Sequence, residues 1–137
     1  YRAEDIAEGV KARTNGEGAH AIYDPVGGSA FASATRCVAH EGRILAIGFA
    51  SGSWGETDTA HLVYNNYSVV GVIPSQYDRA FKEEAQARLL AWRSEGRIRN
   101  QIDEIVPFEA LPDALERLLA GQVKGKLALA VDAAASS

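Results

Sequence analysis

Cysteine clusters, basic clusters and long apolar runs are all missing from this chain of 137 residues, and each absence removes a class of function. The single cysteine, Cys37, excludes an intrachain disulfide and leaves no thiolate set for structural zinc. It accords with a reducing compartment, so a cytoplasmic location is expected. His20, His40 and His61 are scattered with no pair at the i, i+4 spacing of a helical metal site, so no metal is expected. Lys124 and Lys126 are the nearest approach to a basic cluster, and the net charge is −4. A mildly acidic surface of mixed sign argues against a nucleic-acid partner. No apolar stretch is long enough to span a bilayer, and no signal-peptide pattern is read, so no membrane partner is expected. A Gly-x-Gly-x-x-Gly turn is also missing, and with it the pyrophosphate grip of a dinucleotide site and its acidic ribose ligand.

What is present is a pair of apolar runs that each end in glycine. The first is Ala19-His-Ala-Ile-Tyr-Asp-Pro-Val-Gly-Gly28. The second is Gly42-Arg-Ile-Leu-Ala-Ile-Gly-Phe-Ala-Ser-Gly52. One helix-sized segment, Ser29 to Glu41, separates them. Strand, crossover helix and parallel strand make this pattern, and ligands of α/β proteins bind where such strands end.

The remaining elements follow from periodicity and turn chemistry. Ala3 to Thr14 reads as a helix stopped by Asn15-Gly-Glu-Gly18. His20 to Val26 reads as a strand buried on both faces. Ser29 is the expected cap of a helix carrying Phe31, Ala34, Val38 and Ala39 and closed by Gly42. Arg43 to Ile47 is the next strand. Ser51 to Thr59 is a loop, His61 to Tyr67 holds a helical turn, and Ser68 to Ile73 is a third strand. Gly71 inside that strand suggests a kink or a close backbone approach. Asp78 is the expected cap of the longest helix, Arg79 to Glu95, ended by Gly96. Ile102 to Phe108 is a strand. Leu111 to Ala120 is a helix with Leu111, Leu115, Leu118 and Leu119 inward, and Lys126 to Val131 is a last strand. Ala133 to Ser137 reads as a frayed tail. The first residue is Tyr and a helical pattern begins almost at once, so the chain is expected to be a piece of something longer.

Five segments occur in order: Tyr23-Asp-Pro-Val-Gly-Gly28, Arg36-Cys-Val-Ala-His-Glu-Gly-Arg43, Ile47-Gly-Phe-Ala-Ser-Gly52, Asn66-Tyr-Ser-Val-Val-Gly-Val72 and Lys124-Gly-Lys-Leu127. Together they resemble the zinc-independent NADPH:quinone oxidoreductases of the medium-chain dehydrogenase/reductase superfamily, over essentially the whole chain. The resemblance implies an α/β fold: strands 4 to 6 of a doubly wound, Rossmann-like parallel sheet, followed by an α+β segment belonging to the catalytic domain. Residues 1–98 would be the second half of a nucleotide-binding domain and residues 99–137 the carboxyl-terminal part of the catalytic domain. Strands 1 to 3 and most of the catalytic domain are not in this sequence.

By the same resemblance, Val26 and Gly27 lie against the cofactor, and Gly48, Phe49, Ala50 and Ser51 flank the nicotinamide ribose. Val72, Ile73 and Pro74 lie near the carboxamide, and Lys126 lies near the pyrophosphate. The implied chemistry is hydride transfer from NADPH to a quinone or activated enone. Only half of the cofactor site is implied, no catalytic acid is identified, and the chain alone is expected to be inactive. Alternatives are the enoyl-reductase part of a fatty-acid or polyketide synthase and a non-enzymatic oligomerisation module. A Rossmann-like methyltransferase shares the strand-glycine rhythm but not the Ile47–Gly52 segment. Homo-oligomers paired through sheet edges are expected, because strand 4 has lost its implied neighbour. Other readings are plainer: Cys37 as an inert buried thiol, Tyr64, Tyr67 and Tyr77 as packing residues, and Glu83-Glu84 and Arg97 with Arg99 as solvated surface. Trp54, in a loop, is open between packing and substrate contact.

Overall fold

The computed structural model describes residues 5–131, which fall into two compact units divided between Tyr77 and Asp78. In the first unit α1 (Ile6–Arg13), β1 (Ala19–Asp24), α2 (Gly28–Thr35), β2 (Val38–Ala46), α3 (Thr59–Asn65) and β3 (Ser68–Gly71) follow one another. The strands form one parallel sheet in the order β1-β2-β3, the architecture expected of the Rossmann-like half. The second unit holds α4 (Arg79–Ser94), β4 (Ile102–Pro107), α5 (Leu111–Leu119) and β5 (Lys126–Ala130), with β4 and β5 paired in parallel. Short 3-10 turns open at Pro74 and Phe108. The expected helix start at Ala3 and the tail from Ala133 lie outside the described residues.

Local chemistry sets these boundaries. Asp5 caps α1: its Oδ1 accepts from the Ala7 and Glu8 N–H groups at 2.8 and 3.2 Å. Its second oxygen accepts from Arg36 Nη2 at 2.9 Å, just past the end of α2, which clamps the two helices. Asp78 caps α4 through the Phe81 N–H at 2.8 Å, as its position predicts. Ser29 does not cap α2. Gly27 holds that place with φ 71° and no side-chain cap, because the turn here closes through Asp24 instead.

The crossover helix α2, between β1 and β2, is shorter than its pattern. It ends at Thr35, not at Glu41, and Val38 and Ala39 already belong to β2. Between the pairs Ala19–Val38 and Ala21–Arg43, β2 carries extra residues, an irregularity in which Glu41 takes φ 58°. Gly42 is buried inside it, where a Cβ would sit 2.8 Å from the Ala39 carbonyl oxygen. The glycine is therefore a strand-packing residue and not a helix stop.

The core lies on one face of the sheet. Ile22, Ile44 and Val69 stand side by side across the three strands. Phe31 and Ala34 of α2 pack on them with Tyr67, and Ile44 is fully buried. The other face differs from the expectation of two covered sides. In the row Tyr23–Leu45–Val70, Tyr23 is 67% and Val70 41% exposed. In the second unit, α5 buries Ala114 but leaves Leu115, Leu118 and Leu119 exposed, three of the four leucines expected to face inward.

Candidate functional site

Parallel pairing aligns the carboxyl ends of all three strands of the first unit, and the turns leaving them are tied together. The Ile47 N–H donates to the Asp24 carbonyl at 2.9 Å. The Ala50 and Ser51 N–H groups donate to the carbonyls of Pro25 and Val26 at 3.1 and 3.0 Å, and the Val72 N–H donates to Ala46 at 3.0 Å. Val26, Gly27, Gly48, Phe49, Ala50, Ser51, Val72, Ile73 and Pro74 thus stand on one sheet edge. Lys126 opens β5 in the second unit, its N–H donating to the Gln101 carbonyl at 3.0 Å.

The floor of this edge depends on close approach. Gly27 is buried at φ 71°, and a Cβ there would collide with the Ser53 carbonyl oxygen. Asp24, the only buried charged residue among those described, accepts from the Val26 and Gly27 N–H groups through Oδ1 at 2.9 and 3.0 Å. Its carboxylate holds the turn in place of a backbone partner, an Asx-type closure. Gly71 behaves differently from the kink or close approach its position suggests. It lacks a positive φ, and a Cβ built on it meets nothing within 4 Å. Open space therefore lies over the end of β3, beside Val72. A separate groove of about 480 Å³ lies where the turns after β1 and β2 meet the starts of α1 and α2, lined by Val26, Ser29, Ser33, Ala50 and Ser51 with Asp5.

Two aromatic side chains stand on the turn after β2. Phe49 and Trp54 have ring centroids 4.4 Å apart at 34°, and both remain largely exposed. Sequence reasoning left Trp54 open and passed over Asp24, Ser53 and Gly55. Asp24 was findable: an Asp placed two and three residues before the N–H groups it accepts, in Asp-Pro-Val-Gly, is a turn signature.

Cys37 is buried, and its burial pushes the thiol above the usual range, as an inert role requires. Tyr67 is also raised by burial, and its Oη lies 3.0 Å from His61 Nδ1. It is thus a core residue, whereas Tyr64 is 88% exposed. Among the described residues no three His, Cys, Asp or Glu side chains are grouped to hold a metal ion. No described helix is long and apolar enough to cross a membrane.

Residues 1–129 match a family described as zinc-binding dehydrogenase. The chain is 29% identical over 133 residues to a quinone oxidoreductase-like protein 2 homolog of Nematostella vectensis, a match that takes in 94% of this chain and 36% of that protein. Its fold is similar to an NAD-dependent alcohol dehydrogenase, with TM-score 0.77 and 26% identity over 96% of this chain and 37% of that one. A similar fold is found in Escherichia coli quinone oxidoreductase complexed with NADPH, with TM-score 0.78 and 23% identity over 96% of this chain and 42% of the other. The chain thus spans little more than a third of the length of its curated relative.

Proposed function

Because the chain belongs to the zinc-binding dehydrogenase family, and within the medium-chain superfamily resembles the quinone oxidoreductases, we propose that it supplies the nicotinamide-end half of a cofactor site. The enzyme so served transfers a hydride from NADPH to a quinone or an activated enone. The observation that carries this reading is the single edge built by the ends of β1, β2 and β3, with glycines at the points of closest approach and open space over Gly71.

The bound nicotinamide would supply the hydride chemistry, and the protein would supply orientation and shielding. Val26 and Gly27 offer backbone at the floor, held there by Asp24. Gly48 to Ser51 form a wall whose backbone is fixed by the bonds to Pro25 and Val26. Val72 and Ile73 lie past the open space at Gly71, with Pro74 starting the next turn. The described residues offer no ligand set for a zinc. The reading also keeps the protein cytoplasmic and the division at residues 98 and 99.

A half-site should bind weakly and without turnover. Titration of the chain with reduced nicotinamide mononucleotide, followed by the ligand's own fluorescence, should give saturable binding in the millimolar range. Binding of 2′-phospho-AMP with equal or greater affinity, or no saturable binding of the mononucleotide, overturns the assignment.

A further inference from the structure

We propose that Phe49 and Trp54 form a fixed aromatic ledge that takes the flat, electron-poor ring of the acceptor, so that the site prefers conjugated planar acceptors to small puckered enones. The inference rests on the reading above for its location and adds the substrate class.

Three observations converge on it. The two rings pack together at 4.4 Å and 34°, yet Phe49 is 48% and Trp54 61% exposed, so each leaves ring surface free. The segment that carries them is anchored on both sides of Trp54. Before it, the Ser53 carbonyl abuts Gly27, and after it Gly55 lies so close to the Phe31 ring that a Cβ would overlap the ring carbons. An exposed indole on an anchored backbone loses little freedom when it captures a ligand. Finally, Phe49 follows Gly48 in the turn whose N–H groups are bonded to Pro25 and Val26, so the ledge adjoins the proposed nicotinamide edge. Indole is electron-rich and a quinone ring electron-poor, which favours offset stacking between them.

The probe is duroquinone, whose methylated ring resists addition of thiols. Binding to the whole chain is followed by the emission of Trp54 in a Trp92→Phe background, and by the Trp54 indole N–H resonance. Saturable quenching with a shift of that resonance is expected. Trp54→Leu keeps an apolar side chain but removes the π face. Its duroquinone affinity, measured by equilibrium dialysis, should fall roughly threefold to tenfold. Its affinities for cyclohexenone and for reduced nicotinamide mononucleotide should stay unchanged. Unchanged duroquinone affinity in Trp54→Leu, an equal loss for cyclohexenone, or no duroquinone binding at all would overturn the ledge. Failure of the mononucleotide to bind, with duroquinone behaviour as expected, would instead overturn the cofactor reading and leave the ledge standing.

Discussion

The carboxylate of Asp24 lies 3.0 Å from the Gly27 N–H that it accepts, at the point where β1 turns into α2. One buried side chain thus sets the backbone on which the proposed cofactor would lie. Its neighbour Val26 donates to the same oxygen, so the turn has two bonds to a single acceptor. Asp24→Ala should lose both and leave two N–H groups unpaired in a partly buried turn, destabilising the chain by about 2 kcal/mol. Urea unfolding of the variant checks this, and a midpoint equal to the wild type would contradict it.

Gly71→Ala separates ligand space from packing space. The added methyl meets no atom of the chain, and alanine loses less backbone freedom on folding than glycine, so stability should be equal or higher by up to about 1 kcal/mol. If a nicotinamide fills that space, its affinity should nevertheless fall. Stability and mononucleotide affinity falling together would mean that Gly71 serves only the fold.

The Asp5–Arg36 contact gives a pH dependence of known sign. The hydrogen bond from Arg36, aided by the Glu8 N–H, holds the Asp5 carboxyl below its ordinary value. A carboxyl whose pKa is lower in the folded state adds stability above its unfolded pKa, near 3.9, and loses it as pH falls through the folded value. Both side chains are about half exposed, so the effect should be small and weakened by salt. Thermal melts of the wild type and Asp5→Asn should differ at neutral pH and converge in acid. A gap that persists unchanged below the folded pKa would assign the difference to another cause.

Cys37 should resist alkylation by iodoacetamide in the native chain and react fast in urea. Burial raises its pKa, so the folded state favours the thiol. That contribution is present below the unfolded pKa and is lost as pH rises through the folded one. Equal rates in buffer and urea would mean that the site is open.

β1 and β3 are the outer strands of the first sheet. Apolar strand edges of this kind pair readily with another chain. Light scattering after size exclusion should therefore give a mass above the 14.6 kDa of one chain, and a clean monomer would contradict the expected association.

The parallel strands and the aligned edge were legible because apolar runs closing in glycine are local signals. The Asp78 cap was legible for the same reason. The end of α2 was not: Phe31, Ala34, Val38 and Ala39 continue a helical spacing across the real boundary at Thr35, and the strand that claims Val38 is held by pairing with Ala19, a contact distant in sequence. Tyr23 and Leu119 are apolar at positions that suit burial, yet stand exposed. Their pattern records the need for a cover but not what provides it. The turn role of Asp24 was written in Asp-Pro-Val-Gly, but the burial of its carboxylate was not, because that depends on neighbours distant in sequence.

Residue-resolved amide NMR with reduced nicotinamide mononucleotide tests the central claim most directly. Shifts that saturate together at Val26, Gly27, Gly48 to Ser51, Val72 and Ile73 are predicted. Shifts confined to other surfaces, or none at millimolar ligand, would contradict the nicotinamide-end half-site.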